Sequence, residues 1–282
     1  MTFSPVRGRE KDKSEEKLKF SKMEGTGNDF VVLDNRSGIV KDRENLAKRI
    51  CLRKKGVGAD GLLLLEKSDR ADFRMRIFNP DGSEPEMCGN GARCIAKFAY
   101  LEGIVGEKCS FETLSGLVSA YIDEGNVRIK MKDPSFLNLN LELSLKDDSC
   151  EGYHLDTGVP HFVLFVPEVG RVALGKRGPE IRYHQSFQPA GTNVDFVEVK
   201  KSFLKVRTYE RGVEAETLSC GTGVTASAIV ASLVQELTSP VEVRTKGGNL
   251  KVHFQRRNKS NFIRVFLEGE VRLVYEGMYN DN

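Results

Sequence analysis

The sequence lacks several features that would place it in a large class of proteins at once. Its 43 basic and 40 acidic residues are spread over 282 positions and leave a net charge of only +3. Proteins that bind nucleic acids or anionic membranes usually carry a clustered positive excess, so no nucleic acid and no membrane is expected as a partner. No apolar run is long enough to cross a bilayer, and residues 1–19 contain no apolar signal core. We therefore expect a soluble, cytoplasmic protein.

Cysteine and histidine are too few and too scattered for a common metal site. The chain has four histidines and no pair of cysteines separated by two residues. A zinc site usually needs four such ligands at close spacing, so no metal is expected. In a long chain without an export signal, cysteines are predicted to be free thiols. The six are Cys51, Cys88, Cys94, Cys109, Cys150 and Cys220.

Against these absences, one short motif occurs twice. Cys88 precedes Gly-Asn-Gly and Cys220 precedes Gly-Thr-Gly, and each turn leads into an apolar pattern typical of a helix. The free N–H groups of a helix start can bind an anion, and the helix dipole favours a thiolate there. A single motif of this kind would more often only allow tight packing. Two copies 132 residues apart (220 − 88) indicate a shared function.

Other landmarks repeat at the same distance. Asn79 corresponds to Glu210 at an offset of 131 (210 − 79), and Gly61 corresponds to Asn193 at 132 (193 − 61). Such agreement indicates a duplicated fold. We predict an α+β protein of two pseudo-symmetric halves, each a curved, mostly antiparallel sheet wrapped around a central hydrophobic helix.

The boundaries of these halves are predicted from composition. Residues 1–17 are almost wholly charged or small and are predicted to be a disordered extension. The N-terminal half would span residues 18–147 and the C-terminal half residues 148–282, joined by an exposed linker at residues 146–151. A helix is predicted from 42 to 52 with Asp42 as its N-cap. Strands are predicted at 30–33, 62–65, 73–77, 111–113, 116–122, 127–131, 162–166, 196–199, 204–209, 241–245, 250–254 and 262–267.

The duplicated cysteines suggest a specific chemistry. Related halves usually bind a ligand in the cleft between them, so Cys88 and Cys220 would approach a small substrate from opposite sides. A thiolate on one face could remove a proton while a thiol on the other face supplies one, which inverts a stereocentre. The N–H groups of the helix starts would stabilise a carboxylate that becomes enolate-like as the α-proton leaves.

Five segments together resemble the diaminopimelate epimerase family. They are residues 20–30 (FSKMEGTGNDF), 78–84 (FNPDGSE), 88–94 (CGNGARC), 209–212 (YERG) and 220–223 (CGTG), and the match extends in order over residues 18–278. The resemblance implies an isomerase that interconverts LL- and meso-2,6-diaminopimelate in lysine and peptidoglycan precursor synthesis, with no cofactor. It also implies the fold that the repeat predicts.

The resemblance also implies roles for individual residues. Cys88 and Cys220 match the catalytic bases, one thiolate and one thiol, while His161 and Glu210 match residues that tune the pKa values of the thiols. Tyr275 lies in a segment similar to one that helps some members form homodimers. The positions that match substrate contacts are Asn28, Asn79, Gly89, Asn90, Asn193, Glu210, Arg211, Gly221 and Thr222.

Three positions depart from the family pattern. Val159 stands where the family often has asparagine, and Gly61 stands where some members have glutamine. Residues 213–217 are one residue longer than the common spacing. These departures concern the contacts expected with the distal end of the substrate, and none of them involves the two cysteines.

Other functions remain open at this level. A proline or hydroxyproline racemase of the same fold would tend to carry histidine where Asn90 stands, and a phenazine-type isomerase would not be expected to keep both cysteines. A non-catalytic small-molecule binding protein would have no need of a paired acid and base. A dithiol redox enzyme would need the two cysteines within disulfide reach.

Overall fold

The structure, a computed structural model, describes residues 17–281. The predicted disordered extension therefore lies outside the described residues, apart from Lys17, which begins the first strand. The helices are α1 (Arg43–Ile50), α2 (Gly89–Leu101), α3 (Leu174–Arg182) and α4 (Gly221–Gln235). The strands are β1 (Lys17–Gly25), β2 (Asn28–Asp34), β3 (Gly61–Glu66), β4 (Phe73–Phe78), β5 (Lys108–Thr113), β6 (Gly116–Ile122), β7 (Asn126–Lys130), β8 (Ser135–Ser144), β9 (Ser149–Asp156), β10 (Pro160–Phe165), β11 (Asn193–Val199), β12 (Leu204–Glu210), β13 (Ala215–Thr217), β14 (Val241–Arg244), β15 (Asn249–Arg256), β16 (Phe262–Glu270) and β17 (Arg272–Asn280).

The α+β architecture and the mostly antiparallel sheets are confirmed. Four pairings are parallel, namely β2–β3, β4–β5, β10–β11 and β12–β14, and the other pairings of the described chain are antiparallel. Strands β7 and β16 pair antiparallel and join the sheet of the first half to that of the second. We call this pairing the seam.

The strand registers confirm the repeat residue by residue. In the first half Phe30 lies opposite Gly61, and in the second half His161 lies opposite Asn193. The offsets between these two pairs are 131 (161 − 30) and 132 (193 − 61), as the sequence predicts. Equivalent residues therefore occupy equivalent places in the two sheets.

Helices α2 and α4 are the central helices of the two halves. Every residue from Asn90 to Ala99 in α2 is buried, and so is every residue from Gly223 to Ser232 in α4. A helix that is apolar on most faces is expected to be buried, and here the strands of each half pack around it. Their side chains belong to one hydrophobic cluster that continues across the seam, with Ile95 from α2 and Ile229 from α4.

The residues predicted as a linker form a turn instead. Strands β8 and β9 were not predicted, and they pair as an antiparallel hairpin closed by a bond from Leu145 N to Asp148 O of 2.8 Å. The polar residues at 146–148 suit a tight turn as well as a linker, which explains the error. Strand β8 thus pairs with the second half, while β17 pairs with β1 of the first half. A division of the chain at residue 147 stays a prediction.

Two outer helices cover the sheets. The predicted helix at 42–52 is α1, which ends at Ile50, and Asp42 caps it by accepting a bond from Asn45 N at 3.3 Å. Helix α3 was not predicted, because two glycines and Pro179 interrupt its pattern. It begins 131 residues after α1 (174 − 43), so the repeat itself could have revealed it. None of the helices in residues 17–281 has the length and apolar character needed to span a membrane.

Candidate active site

Both motif cysteines occupy the N-cap position of a central helix. Cys88 precedes α2, and its Sγ accepts a bond from Gly91 N at 3.5 Å. Cys220 precedes α4, and its Sγ lies 3.4 Å from Thr222 Oγ1. All six cysteines are free thiols, as the sequence predicts.

The two helix starts lie on either side of one cross-strand pair at the seam. A side chain at Gly89 would lie 3.9 Å from Ile129 Cδ1, and one at Gly221 would lie 2.9 Å from Leu267 Cδ2. Ile129 and Leu267 are directly opposite each other in the β7–β16 pairing. The fold therefore brings the two cysteine-capped helix starts to one place, although they are 132 residues apart in sequence.

Burial dominates the electrostatics of both thiols. It raises the pKa of Cys88, while the Gly91 and Asn90 N–H groups at the helix start lower it. Burial also raises the pKa of Cys220 well above its usual value, and the carboxylate of Glu210 raises it further. From the helix position alone we expected the thiolate to be favoured. Burial opposes this preference in both halves, because loss of water around a buried thiol disfavours its charged form.

His161 reaches Cys220 through Thr222. Its Nε2 lies 2.9 Å from Thr222 Oγ1, which is itself in contact with Cys220 Sγ, and its Nδ1 lies 2.7 Å from Asp195 Oδ2. His161 and Asp195 are fully buried. Asp195 also accepts a bond of 2.6 Å from Thr208 Oγ1. The carboxylate holds the imidazole with one nitrogen directed at Thr222.

Glu210 lies at the end of β12 and its charge acts on both thiols. Burial raises the pKa of this carboxyl, while His161 acts in the opposite direction. Its negative charge raises the pKa of Cys88 as well as that of Cys220. Of the two thiols, Cys220 is the one that hydrogen-bonds the Glu210 side chain.

A chain of amides lines the first helix start. Asn90 Nδ2 donates to Asn28 Oδ1 at 2.6 Å, and Asn28 Nδ2 donates to Asp60 Oδ2 at 3.1 Å. Arg93 donates from NH2 to Asn90 Oδ1 at 2.8 Å. These bonds involve both polar atoms of each side-chain amide and fix the orientation of both asparagines.

Asn193 and Arg211 are brought together in the second half, while Asn79 is held in its own loop. Asn193 Oδ1 accepts a bond of 2.8 Å from Arg211 N, and Arg211 NH1 donates to Ala190 O at 3.3 Å. Asn79 Nδ2 donates to Ser83 Oγ at 3.0 Å. Asn79 directly follows the end of β4, and its counterpart Glu210 is the last residue of β12 in the other half.

The three departures from the family pattern have structural counterparts. A side chain at Gly61 would lie 3.1 Å from Phe78 O, so the site has little room there. Val159 contributes its carbonyl, which accepts a bond of 3.2 Å from Thr157 N. The longer segment at 213–217 includes β13, which pairs with β12 and keeps the loop folded.

Reasoning from the sequence missed several residues of the site, above all Arg93 and Asp195. Arg93 lies inside the first motif but is completely buried, which is uncommon for a charged residue. Asp195 sits in an apolar strand, where a charge is out of pattern. Each of these two residues is a charged side chain at a position where the surrounding apolar pattern predicts an apolar one, and this could have been noticed in the sequence. Within residues 17–281, no three His, Cys, Asp or Glu side chains group as metal ligands would.

Solved structures of low sequence identity share this fold. A phenazine biosynthesis protein of Bacillus anthracis superposes with a TM-score of 0.73 at 14% identity, covering 93% of this chain and 99% of that one. A hydroxyproline epimerase of Agrobacterium vitis superposes with a TM-score of 0.67 at 15% identity, covering 95% and 94%. These likenesses show the fold alone.

Sequence comparison then assigns the family. The family model for diaminopimelate epimerase matches residues 20–137 and 153–274. The diaminopimelate epimerase of Aquifex aeolicus is 44% identical over 94% of this chain and 98% of its own length. That of Methanocella arvoryzae is 43% identical over 93% and 96%. The chain belongs to the diaminopimelate epimerase family, and the resemblance found in the sequence is confirmed.

Proposed function

We propose that this protein interconverts LL- and meso-2,6-diaminopimelate by proton transfer between two thiols and the α-carbon. The observation that carries the proposal is the placement of Cys88 and Cys220 at two helix starts on either side of the seam. Membership of the diaminopimelate epimerase family supports the choice of substrate. The product belongs to lysine and peptidoglycan precursor synthesis.

The geometry supports a two-base mechanism. The thiolate of one cysteine takes the α-proton from one face, and the S–H of the other donates a proton to the opposite face, so one proton leaves the substrate and one arrives. The helix starts at Gly89 and Gly221 offer N–H groups to the substrate carboxylate as negative charge develops on it. His161, through Thr222, and Glu210 adjust the protonation of the thiols.

The remaining polar residues would hold the substrate. We assign the reacting end to Asn90 and Thr222, which follow Gly89 and Gly221 in the two motifs. Arg211 would bind the distal carboxylate, because a guanidinium forms paired hydrogen bonds with a carboxylate. Asn28, Asn79 and Asn193 would contact the substrate amino and carboxylate groups.

A substrate assay in deuterated water tests the proposal. LL-diaminopimelate should yield the meso form with solvent deuterium at the inverted carbon. Cys88→Ala and Cys220→Ala should each abolish inversion, whereas Cys150→Ala, which changes a thiol in another hydrophobic cluster, should keep it. Normal epimerisation by the protein lacking Cys88, or no turnover by freshly reduced protein, would refute the mechanism. Proline and hydroxyproline belong in the same assay, since proteins acting on them share this fold.

We also propose a homodimer through β17. Tyr275 is 45% exposed and its neighbour Val274 is 56% exposed, and the Tyr275 ring packs edge-on against Phe20 at 5.8 Å. Exposed apolar residues on one strand favour a protein interface. Tyr275→Asp should convert the dimer to a monomer in sedimentation, while Leu114→Asp at an exposed turn should not. A wild-type protein that sediments as a monomer would contradict the proposal.

The place of action is proposed to be the cytoplasm. Six free thiols suit a reducing compartment, where disulfides do not persist.

A further inference from the structure

Arg93 is a buried cation that has no carboxylate partner among the described residues. Its side chain is fully buried at the fifth residue of α2. It donates from NH1 to Gly89 O at 3.3 Å and from NH2 to Thr26 Oγ1 and Asn90 Oδ1, while Nε has no partner. A charge removed from water without a countercharge is costly, so a nearby anion is expected in the working protein.

The equivalent place in the second half is neutral. Arg93 corresponds to Thr225 (225 − 93 = 132), whose Oγ1 donates to Gly221 O at 2.9 Å. Both side chains thus bond to the carbonyl of the residue that follows the cysteine. Only the first half puts a positive charge there.

The second half instead buries a negative charge beside its helix start. A side chain at Gly223 would overlap the Asp195 carboxylate. The residue equivalent to Asp195 is Leu63 (195 − 63 = 132), and its Cδ2 would lie 3.2 Å from a side chain at Gly91. The two pseudo-symmetric helix starts therefore lie over buried charges of opposite sign.

We propose that Arg93 is the countercharge of a Cys88 thiolate, which makes Cys88 the resting base and Cys220 the resting acid. This deepens the proposed function and rests on it. Arg93 is a positioning residue, because it contacts the helix start rather than the substrate. From rest, Cys88 would take the α-proton and the Cys220 S–H would donate to the opposite face, leaving Cys88 protonated and Cys220 as thiolate.

The other charged groups around the thiols agree with this assignment. At Cys88 the positive charge of Arg93 lowers the pKa and the negative charge of Glu210 raises it. At Cys220 the charges of Glu210 and Asp195 both raise the pKa. Glu24 is the carboxylate whose charge acts on Arg93 from β1. Burial raises the pKa of both thiols, and the positive charge among the groups named here is that of Arg93, which acts on Cys88 and on the neighbouring Cys94 thiol.

The ultraviolet absorbance of the thiolate tests the proposal without any substrate. The difference between protein with and without Cys88→Ala reports the Cys88 thiolate alone as pH is raised. Arg93→Gln and Arg93→Met should lower the Cys88 thiolate fraction at a given pH about tenfold, the effect of removing one nearby charge. Arg93→Lys should retain most of it, because the charge remains.

Two control variants distinguish the effect of the Arg93 charge from the effect of structural change. Lys97→Met removes another buried cation of α2, which donates to the carbonyls of Asp123 and Glu124, and it should leave the Cys88 titration unchanged. Thr26→Val removes a partner of Arg93 but keeps the charge, so it should reduce stability without moving the titration.

The results that overturn the inference are distinct from those that overturn the proposed function. An unchanged Cys88 titration in a folded Arg93→Gln or Arg93→Met protein would refute the countercharge. If neither neutral variant folds, Arg93→Lys decides: a retained midpoint supports the role of charge, and a large rise refutes it. A wild-type Cys220 that ionises at lower pH than Cys88 would reverse the assignment. Absence of diaminopimelate turnover would refute only the function, because the titration needs no substrate.

Discussion

The hydroxyl of Thr222 connects Cys220 with His161. It lies between Cys220 Sγ at 3.4 Å and His161 Nε2 at 2.9 Å. A hydroxyl can donate to one neighbour and accept from the other, so Thr222 can connect the imidazole and the thiol by hydrogen bonds. Residue 90, the equivalent in the first half, is an asparagine bonded to Asn28 instead.

Thr222→Val should therefore lower kcat in both directions by about tenfold to a hundredfold, because positioned acid–base groups contribute at that scale. KM should change less, since the fold of the helix start is kept. Steady-state kinetics with LL- and meso-diaminopimelate measure both effects. Thr225→Val removes a buried hydroxyl from the same helix and serves as the matched control, with activity near that of the wild type expected. Equal losses in the two variants would contradict a special role for Thr222.

At the scale of elements, each central helix begins with two glycines that differ in what they contact. A side chain at Gly223 would meet the Asp195 carboxylate and the Thr208 hydroxyl, while one at Gly91 would meet apolar side chains of Leu63 and Met75 at 3.2 and 3.3 Å. The second glycine of α4 thus permits a buried polar group to approach the helix start.

Gly223→Ala should destabilise the protein by about 1–3 kcal/mol, since overpacking beside a buried carboxylate outweighs the helix propensity gained. Gly91→Ala should cost less, because flexible side-chain ends can move aside. Gly175→Ala in α3, where a side chain meets nothing within 4 Å, should be neutral or stabilising. Urea unfolding measures all three. A Gly223→Ala protein as stable as wild type would show that the carboxylate moves freely.

Most of the elements could be predicted from the sequence, and the misses have physical causes. Alternation and apolar helical patterns located both central helices and the strands around them, because each buries a defined face. Hairpin β8–β9 was missed because its turn has the composition of a linker. Helix α3 was missed because Gly178 has a low helix propensity. A glycine is needed at this position because a side chain there would overlap the ring of Tyr209, which is a tertiary contact.

At the scale of the whole molecule, ion pairs between elements make the fold sensitive to acid. Burial acts to raise the pKa of Asp29, but hydrogen bonds from Arg53 and Lys22 lower it to about 2. The hydrogen bond from Arg207, together with Lys246, lowers the pKa of Glu216 to about 2. A carboxyl whose folded pKa is depressed contributes stability above its unfolded pKa and loses it as pH falls through the folded value.

The free energy of unfolding should therefore be steady above about pH 5 and decline between about pH 4.5 and 2. Glu216→Gln should reduce stability at neutral pH by about 1–2 kcal/mol after allowance for solvent screening, and should flatten part of the decline. Asp69→Asn, at an exposed carboxylate, is the control. Urea unfolding at a series of pH values measures the effect, and an unchanged acid slope in Glu216→Gln would contradict it.

The sequence by itself determined the duplication, the two cysteine-capped helices and the family. These features follow from the order of residues alone, because Gly-x-Gly turns and apolar periodicity lie in neighbouring residues and the offsets are read directly along the chain. Only the tertiary structure decided which buried charge lies beside which thiol. Asp195 reaches the start of α4 from β11, while Arg93 lies in α2 itself and is buried against Thr26. Burial opposes the effect expected of the helix dipole on both cysteines. Solvent exposure, which decides that balance, depends on all the surrounding elements together.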